Sequence, residues 1–249
     1  MNSGISRMIR ERKDMLKGKN VILGVTGSIA AYKIASLASA LKKLSCNVDV
    51  IMTENACNFI NPITFETLTG NKCLVDSFDR NFQYSVEHVS LAKKADLFLV
   101  APASANFNNP VVKDNMKRLE SYGIDVINPA SGYLACGDTG EGKMPEPEVL
   151  LSYILRELAH EKDMKGLKVC VTAGPTRETI DPVRFISNRS TGKMGFALAK
   201  NAMERGADVT LVSGPVELKD VPFVKMVHVE SARQMFEAVT KEAETADII

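Results

Sequence analysis

The chain has 249 residues, 45% of them hydrophobic, and its 31 basic and 30 acidic residues give a formal net charge of +1. This balance excludes the basic surface that a nucleic-acid partner requires, and no apolar run approaches the roughly 18 residues of a membrane span. Five cysteines without paired spacing favour free thiols over a disulfide framework or a zinc site, and the N-terminal residues lack the apolar core of a secretory signal. We therefore predict a soluble, cytoplasmic protein with no metal held by its side chains and no membrane contact.

The first half of the chain begins with two strand-helix pairs. An apolar strand at 20–26 leads through a Gly-Ser turn into a helical period over 28–44, for which Ser28 is the predicted N-cap. A second strand at 47–52 is followed by a helical stretch over 53–69. This order predicts βα units that share one sheet.

The same alternation continues through the middle of the chain. We predict strands at 96–101 and 124–127 and helices at 110–122 and 146–160. Strands that alternate with helices in this way indicate a parallel, doubly wound α/β sheet.

A charged segment, 160–166, separates this half from a second one with the same pattern. Its predicted elements are strands at 167–172, 207–214 and 223–229, helices at 191–204 and 231–244, and the opening of a strand at 246–249. We therefore predict two domains, residues 1–160 and 166–249. Because the last residues read as the start of a buried strand, the second domain is expected to be partial.

The turn after the first strand is a candidate anion site. Gly27, Ser28 and Ile29 join a strand to a helix, and such a turn presents backbone N–H groups and the positive end of the helix dipole. The alternative is a plain tight turn before a capped helix. The turn lacks the G-x-G-x-x-G pattern of dinucleotide sites, which disfavours NAD.

Small polar residues also follow the second and third strands. Thr53 comes directly after the second strand, and residues 102–106 follow the third. Because the carboxyl ends of parallel strands face one crevice, these residues and the turn at Gly27 are expected to converge. The amide of Asn106 can donate and accept hydrogen bonds toward a flat heterocycle, although Thr53 and Asn106 also suit capping and turn positions without a ligand.

Two further residues are candidates for acid–base chemistry. His88 precedes the third strand, and a lone histidine of this kind is more often a surface residue than a catalyst. Cys136 lies in the glycine-rich stretch 131–144, which is either an ordinary loop or a flap whose thiol delivers a proton.

The connection from 174 to 195 in the second half is unusually long for a strand-helix loop. It carries four cations, and the last two flank the start of a helix, where cations oppose the helix dipole. An anion bound there would offset that repulsion, whereas the alternative is a solvated basic loop. The four cations are Arg177, Arg184, Arg189 and Lys193.

Four stretches carry a resemblance to a known family. In chain order they are GVTGSIAAYK, EHVSLAKKADLFLVAPASAN, SGYLACGDTGEGKM and GPTRETIDPVRFISNRSTGKMGFALA. The chain resembles the bacterial bifunctional coenzyme A biosynthesis proteins, in which phosphopantothenoylcysteine decarboxylase is fused to phosphopantothenate–cysteine ligase. The resemblance implies a flavodoxin-like or Rossmann-like flavoprotein domain, followed by part of a second Rossmann-like domain.

The resemblance also implies cofactors and residue roles. It implies FMN in the first domain, and CTP with Mg²⁺ in the second. His88 resembles the catalytic histidine of the family, Cys136 its proton donor, and Asn188 the asparagine that handles the acyl-cytidylate. The implied FMN-binding residues are Gly27, Ser28, Ile29, Thr53, Ser104, Ala105 and Asn106. The implied substrate-binding residues of the ligase half are Arg184, Arg189 and Lys193.

The implied activities are decarboxylation of 4′-phosphopantothenoylcysteine and CTP-dependent joining of 4′-phosphopantothenate to cysteine. Flavin would oxidise the substrate thiol and so create the electron sink for loss of carbon dioxide, while the protein positions and protonates. The family's flavin sites lie between subunits of trimers, so a homo-oligomer built from trimers is also implied.

Two departures from the family lead us to expect that both sites are incomplete. After Phe107 the family has a further strand-helix stretch with a P-x-M-N motif that clamps the substrate carboxylate, and the absent piece has about the size of one βα unit. The ligase residues expected to hold CTP lie beyond Ile249 in the family. One competing hypothesis is a non-catalytic FMN-binding subunit, and another is a flavin-dependent decarboxylase of peptide cysteines, which the ligase-like loop disfavours.

Overall fold

A computed structural model describes residues 14–75, 87–103, 109–133 and 139–249. The side chains of residues 87–89, 132–133 and 139–141 also lie outside the description. Contacts within the chain divide it into two units, Met1–Ile154 and Leu155–Ile249, which we call unit 1 and unit 2.

Unit 1 alternates strands and helices around a small parallel sheet. The elements that begin in it are β1 (Asn20–Val25), α1 (Ala31–Lys43), β2 (Asn47–Met52), α2 (Glu54–Cys57), α3 (Pro62–Thr69), α4 (Glu87–Lys94), β3 (Leu97–Val100), α5 (Pro110–Ser121), β4 (Ala130–Tyr133), β5 (Thr139–Lys143) and α6 (Pro147–Leu158). The strand order is β2-β1-β3, with both neighbours of β1 parallel to it. This is the order in which a flavodoxin-like sheet begins.

The central strand forms because its sequence is an unbroken apolar run. Val21, Leu23 and Val25 of β1 are almost completely buried, which is typical of a strand covered on both faces of a parallel sheet. Helix α1 places its apolar face, with Ile34 and Leu37 fully buried, in the same core. At about 25 cal/mol per Å², burying each of these large side chains contributes on the order of 1.5–3 kcal/mol.

The predicted helical stretch 53–69 is two helices rather than one. Helix α2 ends at Cys57, and α3 begins at Pro62. The side chain of Asn61 accepts a hydrogen bond from the Ile63 N–H at 3.0 Å, so Asn61 caps the second helix and Pro62 takes its first position. An Asn-Pro pair therefore interrupts the helix, although the spacing of the apolar residues, taken alone, predicts one continuous helix.

The prediction of a strand at 124–127 is wrong, because these residues adopt no regular structure. Ile124 is 51% exposed, and α5 before it has no buried residue. Among the described residues, the sheet of unit 1 ends at β3, where Phe98 and Val100 are exposed. A short apolar run forms a buried strand only where a neighbouring strand and a covering layer exist.

An antiparallel hairpin of β4 and β5 precedes α6. Gly132 pairs with Gly140 and Tyr133 with Thr139, so the connection between the two strands is residues 134–138. Helix α6 then brings Leu150, Leu151 and Ile154 into buried positions.

Unit 2 contains a second parallel sheet. Its elements are β6 (Lys168–Ala173), β7 (Arg177–Thr179), β8 (Phe185–Ser187), α7 (Lys193–Glu204), β9 (Asp208–Ser213), β10 (Lys225–His228) and α8 (Ala232–Ala243). The sheet order is β10-β9-β6, which in chain order is third, second and first, as in one half of a Rossmann fold. The short strands β7 and β8 form an antiparallel hairpin inside the predicted loop 174–195.

The core of unit 2 lies between α7 and this sheet. Leu211 and Val209 of β9 and Ala199 of α7 are almost fully buried there. The predicted strand start at 246–249 does pair with β6, because Ile248 forms a parallel bridge with Val169. Its side chain is nevertheless 43% exposed, so the expected burial is not present.

The parallel α/β class predicted from the sequence is confirmed in both units. In the part of the chain that the structure describes, no helix is long and apolar enough to cross a bilayer.

Candidate functional site

The carboxyl edge of the unit 1 sheet brings together the residues that follow its three strands. The Thr53 N–H donates to the carbonyl of Val25 at 3.0 Å, which joins the ends of β2 and β1. The Thr26 hydroxyl donates to the carbonyl of Pro102, which joins the ends of β1 and β3. One backbone and one side-chain hydrogen bond therefore join the ends of the three strands.

The turn after β1 approaches the chain after β2 so closely that it requires glycine. A Cβ added at Gly27 would lie 2.7 Å from the Cβ of Asn55 and 3.1 Å from its carbonyl carbon. Real Cβ atoms do not make such contacts, so the absence of a side chain is what lets the two backbones meet. Asn55 was not singled out in the sequence, because nothing local marks it as the neighbour of Gly27.

Helix α1 starts three residues later than its periodicity predicts. It begins at Ala31 with Ala30 in the N-cap position, and no side chain caps it. The Ser28 hydroxyl instead accepts a hydrogen bond from the Ala30 N–H at 3.3 Å. The start of α1 therefore keeps its positive dipole end without a side-chain cap at the turn, an arrangement that suits a phosphate.

Thr53 performs the capping role that its position indicates. Its backbone is extended, and its hydroxyl accepts the Ala56 N–H at 3.2 Å, so it caps α2. The same residue thus fixes the helix that carries Asn55 against the Gly27 turn.

Apolar side chains stand exposed beside the turn. Ile29 is 66% exposed and Tyr32 is 59% exposed. Large apolar groups that stay open to solvent next to an anion-compatible turn suit an organic phosphate with a flat ring. Tyr32 was not among the residues predicted for the site.

Several predicted site residues lie outside the described part of the chain. Ser104, Ala105, Asn106 and Cys136 are among them. His88 lies on α4 by its backbone, but its side chain is outside the description.

The helix that carries His88 is tied at its other end to the sheet. The ammonium of Lys94, the last residue of α4, lies 2.8 Å from the Oδ2 atom of Asp49 on β2. The other carboxylate oxygen of Asp49 accepts a hydrogen bond from the Asn71 amide at 2.9 Å. Asp49 is 9% exposed, so both contacts compensate a nearly buried charge.

Unit 2 has its own glycine cradle at the carboxyl edge of its sheet. Gly174 after β6 and Gly192 before α7 both have left-handed backbones, and a Cβ on either would lie 2.8–2.9 Å from Cγ1 of Val216. A Cβ on Gly214 would overlap the carbonyl oxygen of Pro175, and one on Gly195 would meet Ala173. The sequence does carry a signal for this glycine cradle, because β6 and β9 are both followed by Gly-Pro.

Three of the predicted ligase residues lie at the entrance to α7. The Asn188 side chain accepts a hydrogen bond from the Ser190 N–H at 2.8 Å, and Asn188 is exposed. Arg189 and Lys193 are also exposed, and neither forms an ion pair with another described residue. Two cations near the start of a helix that lacks a side-chain cap leave room for an anion.

Arg184, in contrast, is engaged within its own hairpin. Its Nε atom lies 2.6 Å from Oδ2 of Asp181, and this contact holds the pKa of Asp181 below its ordinary value. The N–H groups of Val183 and Arg184 also donate to the same carboxylate. The structure therefore shows Arg184 stabilising the turn between β7 and β8.

A cleft of 860 Å³ lies in unit 2 between the ends of β9 and β10 and helix α8, and it shares Gly214 and Val216 with the glycine cradle. Ser213, Gly214 and Val216 line one side, and Glu230, Gln234 and Lys241 are on the other. None of the predicted ligase residues lines it.

Comparisons with protein families match both units. The Flavoprotein family model matches residues 9–107 and 106–159, more than half of the chain. The model of the DNA/pantothenate metabolism flavoprotein C-terminal domain matches residues 164–249. Unit 1 thus belongs to the Flavoprotein family.

Curated relatives extend the match to nearly the whole chain. The coenzyme A biosynthesis bifunctional protein CoaBC of Haemophilus influenzae is 38% identical over 263 aligned residues, which cover 92% of this chain and 66% of the relative. The protein of the same name from Bacillus subtilis is 39% identical, with 94% of this chain and 67% of the relative covered. A solved structure, a PPC decarboxylase mutant complexed with pantothenoylaminoethenethiol, is 22% identical with a TM-score of 0.48 over 55% of this chain and 96% of that one.

The chain belongs to the family of bifunctional coenzyme A biosynthesis proteins. The family resemblance, the class of enzyme and the place in coenzyme A biosynthesis predicted from the sequence are confirmed at this level. The chain spans about two thirds of the length of these relatives.

Proposed function

We propose that unit 1 binds FMN and is the part of the chain that serves the decarboxylation of 4′-phosphopantothenoylcysteine. The observation that carries the proposal is the convergence of the turn at Gly27 and Ser28, the capped start at Thr53 and the end of β3 on one edge of the sheet. The missing side chain at Gly27 lets the turn pack directly on Asn55, which fixes the turn that presents its backbone N–H groups at the start of α1. Ile29 and Tyr32 offer apolar surface to an isoalloxazine ring.

Within this proposal the residues have separate roles. Gly27, Ser28 and Thr53 hold the FMN phosphate, and Ile29 contacts the cofactor. Ser104, Ala105 and Asn106 border the flavin. FMN, when bound, supplies the oxidation of the substrate thiol that makes loss of carbon dioxide possible.

The acid–base roles are proposed on the match to the family motifs. His88 acts at the substrate end of α4, and Cys136 donates the proton that completes the product. The Asp49–Lys94 ion pair supports this assignment indirectly, because it holds the far end of the His88 helix against the sheet.

We also propose that unit 1 lacks one βα unit of the family after Phe107. The match to the Flavoprotein family comes in two pieces that meet at residues 106–107. The alignment with the Haemophilus relative is 263 residues long, more than the 249 residues of the whole chain, so the relative has residues that this chain lacks. Loss of a substrate clamp removes part of the orientation that can supply roughly 7–11 kcal/mol of barrier reduction. Decarboxylation by this chain is therefore severely impaired.

The same observation favours a second candidate function. A chain that keeps the cofactor edge but lacks the substrate clamp can act as a non-catalytic FMN-binding subunit that assembles with complete chains. A decarboxylase of peptide cysteines is disfavoured, because the match at 164–249 adds a second domain that such chemistry does not need.

For unit 2 we propose an anion site at the start of α7 that serves CTP-dependent joining of 4′-phosphopantothenate to cysteine. Arg189 and Lys193 carry the charge, Asn188 contacts the acyl-cytidylate, and Mg²⁺ accompanies the nucleotide. Arg184 acts on the substrate only through the hairpin that it stabilises with Asp181. The glycines beside Val216 support the proposal, because their close packing fixes the loop that leads into α7 and so the backbone N–H groups at the start of that helix.

The test of unit 1 separates binding from catalysis. The purified chain is titrated with FMN by fluorescence quenching, and turnover of 4′-phosphopantothenoylcysteine is followed by release of carbon dioxide. We expect binding with little or no turnover, and recovery of turnover when the family segment is inserted after Phe107. A chain that binds no FMN contradicts the proposal, and normal turnover without the insertion contradicts the proposed loss of the clamp.

The test of unit 2 measures CTP binding by equilibrium dialysis with Mg²⁺. Arg189→Gln should weaken binding by about tenfold, because a charge-assisted contact to phosphate contributes on the order of 1.5–3 kcal/mol. Arg233→Gln, which removes an exposed arginine on α8, should leave it unchanged. Equal binding by all three proteins would place the nucleotide elsewhere.

We further propose that the chain forms a homo-oligomer built from trimers. Light scattering coupled to size-exclusion chromatography measures the mass directly, with and without FMN. A monomer under both conditions would contradict this part of the proposal.

A further inference from the structure

Lys33 lies on the first turn of α1, the helix that follows the turn of Gly27 and Ser28. Its side chain is only 13% exposed, which is unusual for lysine. The ammonium lies 2.8 Å from Oε1 of Glu146. A cation this far withdrawn from solvent needs a partner, and Glu146, whose own side chain is 50% exposed, supplies it.

Glu146 also contacts two other elements, helix α6 and strand β5. Its carbonyl accepts hydrogen bonds from the N–H groups of Val149 at 2.9 Å and Leu150 at 3.2 Å, which start α6. Its Oε1 atom also lies 3.3 Å from the ammonium of Lys143, the last residue of β5. The hydrogen bond from Lys33, with that from Lys143, lowers the pKa of Glu146, so its carboxylate stays charged at neutral pH.

One carboxylate therefore connects three elements of unit 1. It fixes the end of the β4–β5 hairpin and the start of α6 to the first turn of α1. Helix α6 is itself held by the buried Leu150 and Leu151, so this end of the hairpin has a rigid support. The residues that join β4 to β5 include Cys136 in the sequence.

We propose that Lys33 and Glu146 are positioning residues, whose ion pair sets the place of the β4–β5 hairpin relative to the turn that holds the cofactor phosphate. The proposal rests on the proposed FMN site, and it adds that Lys33 acts through Glu146 rather than on the phosphate. The ammonium of Lys33 lies 2.8 Å from the carboxylate of Glu146, and the same carboxylate also pairs with Lys143. The pair thus links α1, which follows the proposed phosphate-binding turn, to the β4–β5 hairpin.

The experiment uses the full chain and a double-mutant cycle of Lys33→Met and Glu146→Gln. Hydrogen exchange of the β5 amides at 139–143 is measured with and without FMN, together with the dissociation constant of FMN. Both single variants should speed β5 exchange by about threefold or more, and Glu146→Gln should have the larger effect because it also removes the contact with Lys143. The double variant should exchange no faster than Glu146→Gln, because Lys33→Met then removes nothing further. FMN affinity should change by less than about twofold in each.

Three controls separate positioning from general destabilisation. Lys33→Arg should restore slow exchange, because a guanidinium can reach the same carboxylate. Lys43→Met, at the exposed far end of α1, should change nothing. Exchange of β2 at 47–52 should stay the same in every variant, whereas a loss of overall stability would raise it.

The opposite results decide against the proposal. If Lys33→Met weakens FMN binding by more than about tenfold while Glu146→Gln strengthens it, Lys33 is a phosphate ligand and Glu146 competes for it. If exchange at 139–143 is unchanged in both variants, the pair positions nothing. Failure of the parent chain to bind FMN would refute the proposed function alone, because the exchange comparison without FMN still tests the ion pair.

Discussion

Replacing Gly27 by alanine tests the turn on which the cofactor proposal depends. The new methyl group would lie 2.7 Å from Cβ of Asn55 and 3.1 Å from its carbonyl carbon. Both atoms belong to the start of α2, so no side-chain rotation relieves the clash and the backbone of the turn or of α2 must move. Inserting a methyl group into a close contact of this kind costs about 1–3 kcal/mol. We therefore expect the free energy of unfolding of unit 1 to fall by that amount.

The same movement should displace the groups that bind phosphate. A loss of about 1.4 kcal/mol in binding free energy is tenfold in affinity, so Gly27→Ala should weaken FMN binding by about tenfold or more. Urea denaturation and fluorescence titration measure the two effects on one preparation. Gly24→Ala is the matched control, because its methyl group would meet the exposed ring of Phe98 at 3.1 Å, and that ring can turn aside.

Two outcomes with Gly27→Ala and Gly24→Ala would refute the proposed role of the turn in phosphate binding. If Gly27→Ala binds FMN as the parent does, the turn is not the phosphate site, whatever its effect on stability. If Gly24→Ala weakens FMN binding as strongly as Gly27→Ala, the effect comes from general damage to β1 and the specific role of the turn is refuted.

The remaining predictions concern capping, charge and thiols. Thr53→Ala should lower the free energy of unfolding by about 1 kcal/mol in urea, whereas Thr53→Ser should keep the cap; equal losses in both would contradict the capping role. The hydrogen bond from Lys225 lowers the pKa of Glu242 below its ordinary 4.5, so the pair stabilises unit 2 above that pH and the contribution is lost as the pH falls through the lower folded value. Glu242→Gln should therefore reduce the fall in stability at acid pH. If the free energy of unfolding measured in urea falls as steeply with acid pH in the variant as in the parent chain, this prediction is wrong. Burial raises the pKa of Cys46 to about 11 and of Cys73 to about 12, so an aromatic disulfide reagent at neutral pH should label neither until urea unfolds the chain.

Strands β1 and β9, at the centre of the two sheets, were predictable because at least half of their residues are apolar. Burial on both faces is typical of a strand in a parallel sheet, and both β1 and β9 show it. The run at 124–127 is also rich in β-branched residues, but it has no covering layer among the described residues. Composition therefore predicts where a strand can form, and tertiary contacts decide whether it does.

Helix boundaries were less predictable, and for local reasons. The break between α2 and α3 follows from Asn61, which caps α3, and Pro62, which takes its first position. Both signals are visible in the sequence, but the prediction relied on the periodic spacing of the apolar residues instead. The late start of α1 at Ala31 has no such signal. Ser28 has the side chain of a cap, yet its hydroxyl bonds the N–H of Ala30 and the helix begins beyond it.

The part of the candidate site that the sequence could not show is the contact that shapes it. In unit 1 the turn after the first strand is closed by Asn55, which follows the second strand. In unit 2 Gly174 follows the first strand and is closed by Val216, which follows the second. A glycine that local reasoning assigns to a tight turn is thus required by a neighbour many residues away, and the two units arrive at the same arrangement with different neighbours. Because each candidate anion site depends on this second loop as much as on its own turn, a motif match at the turn alone does not establish that the site is intact.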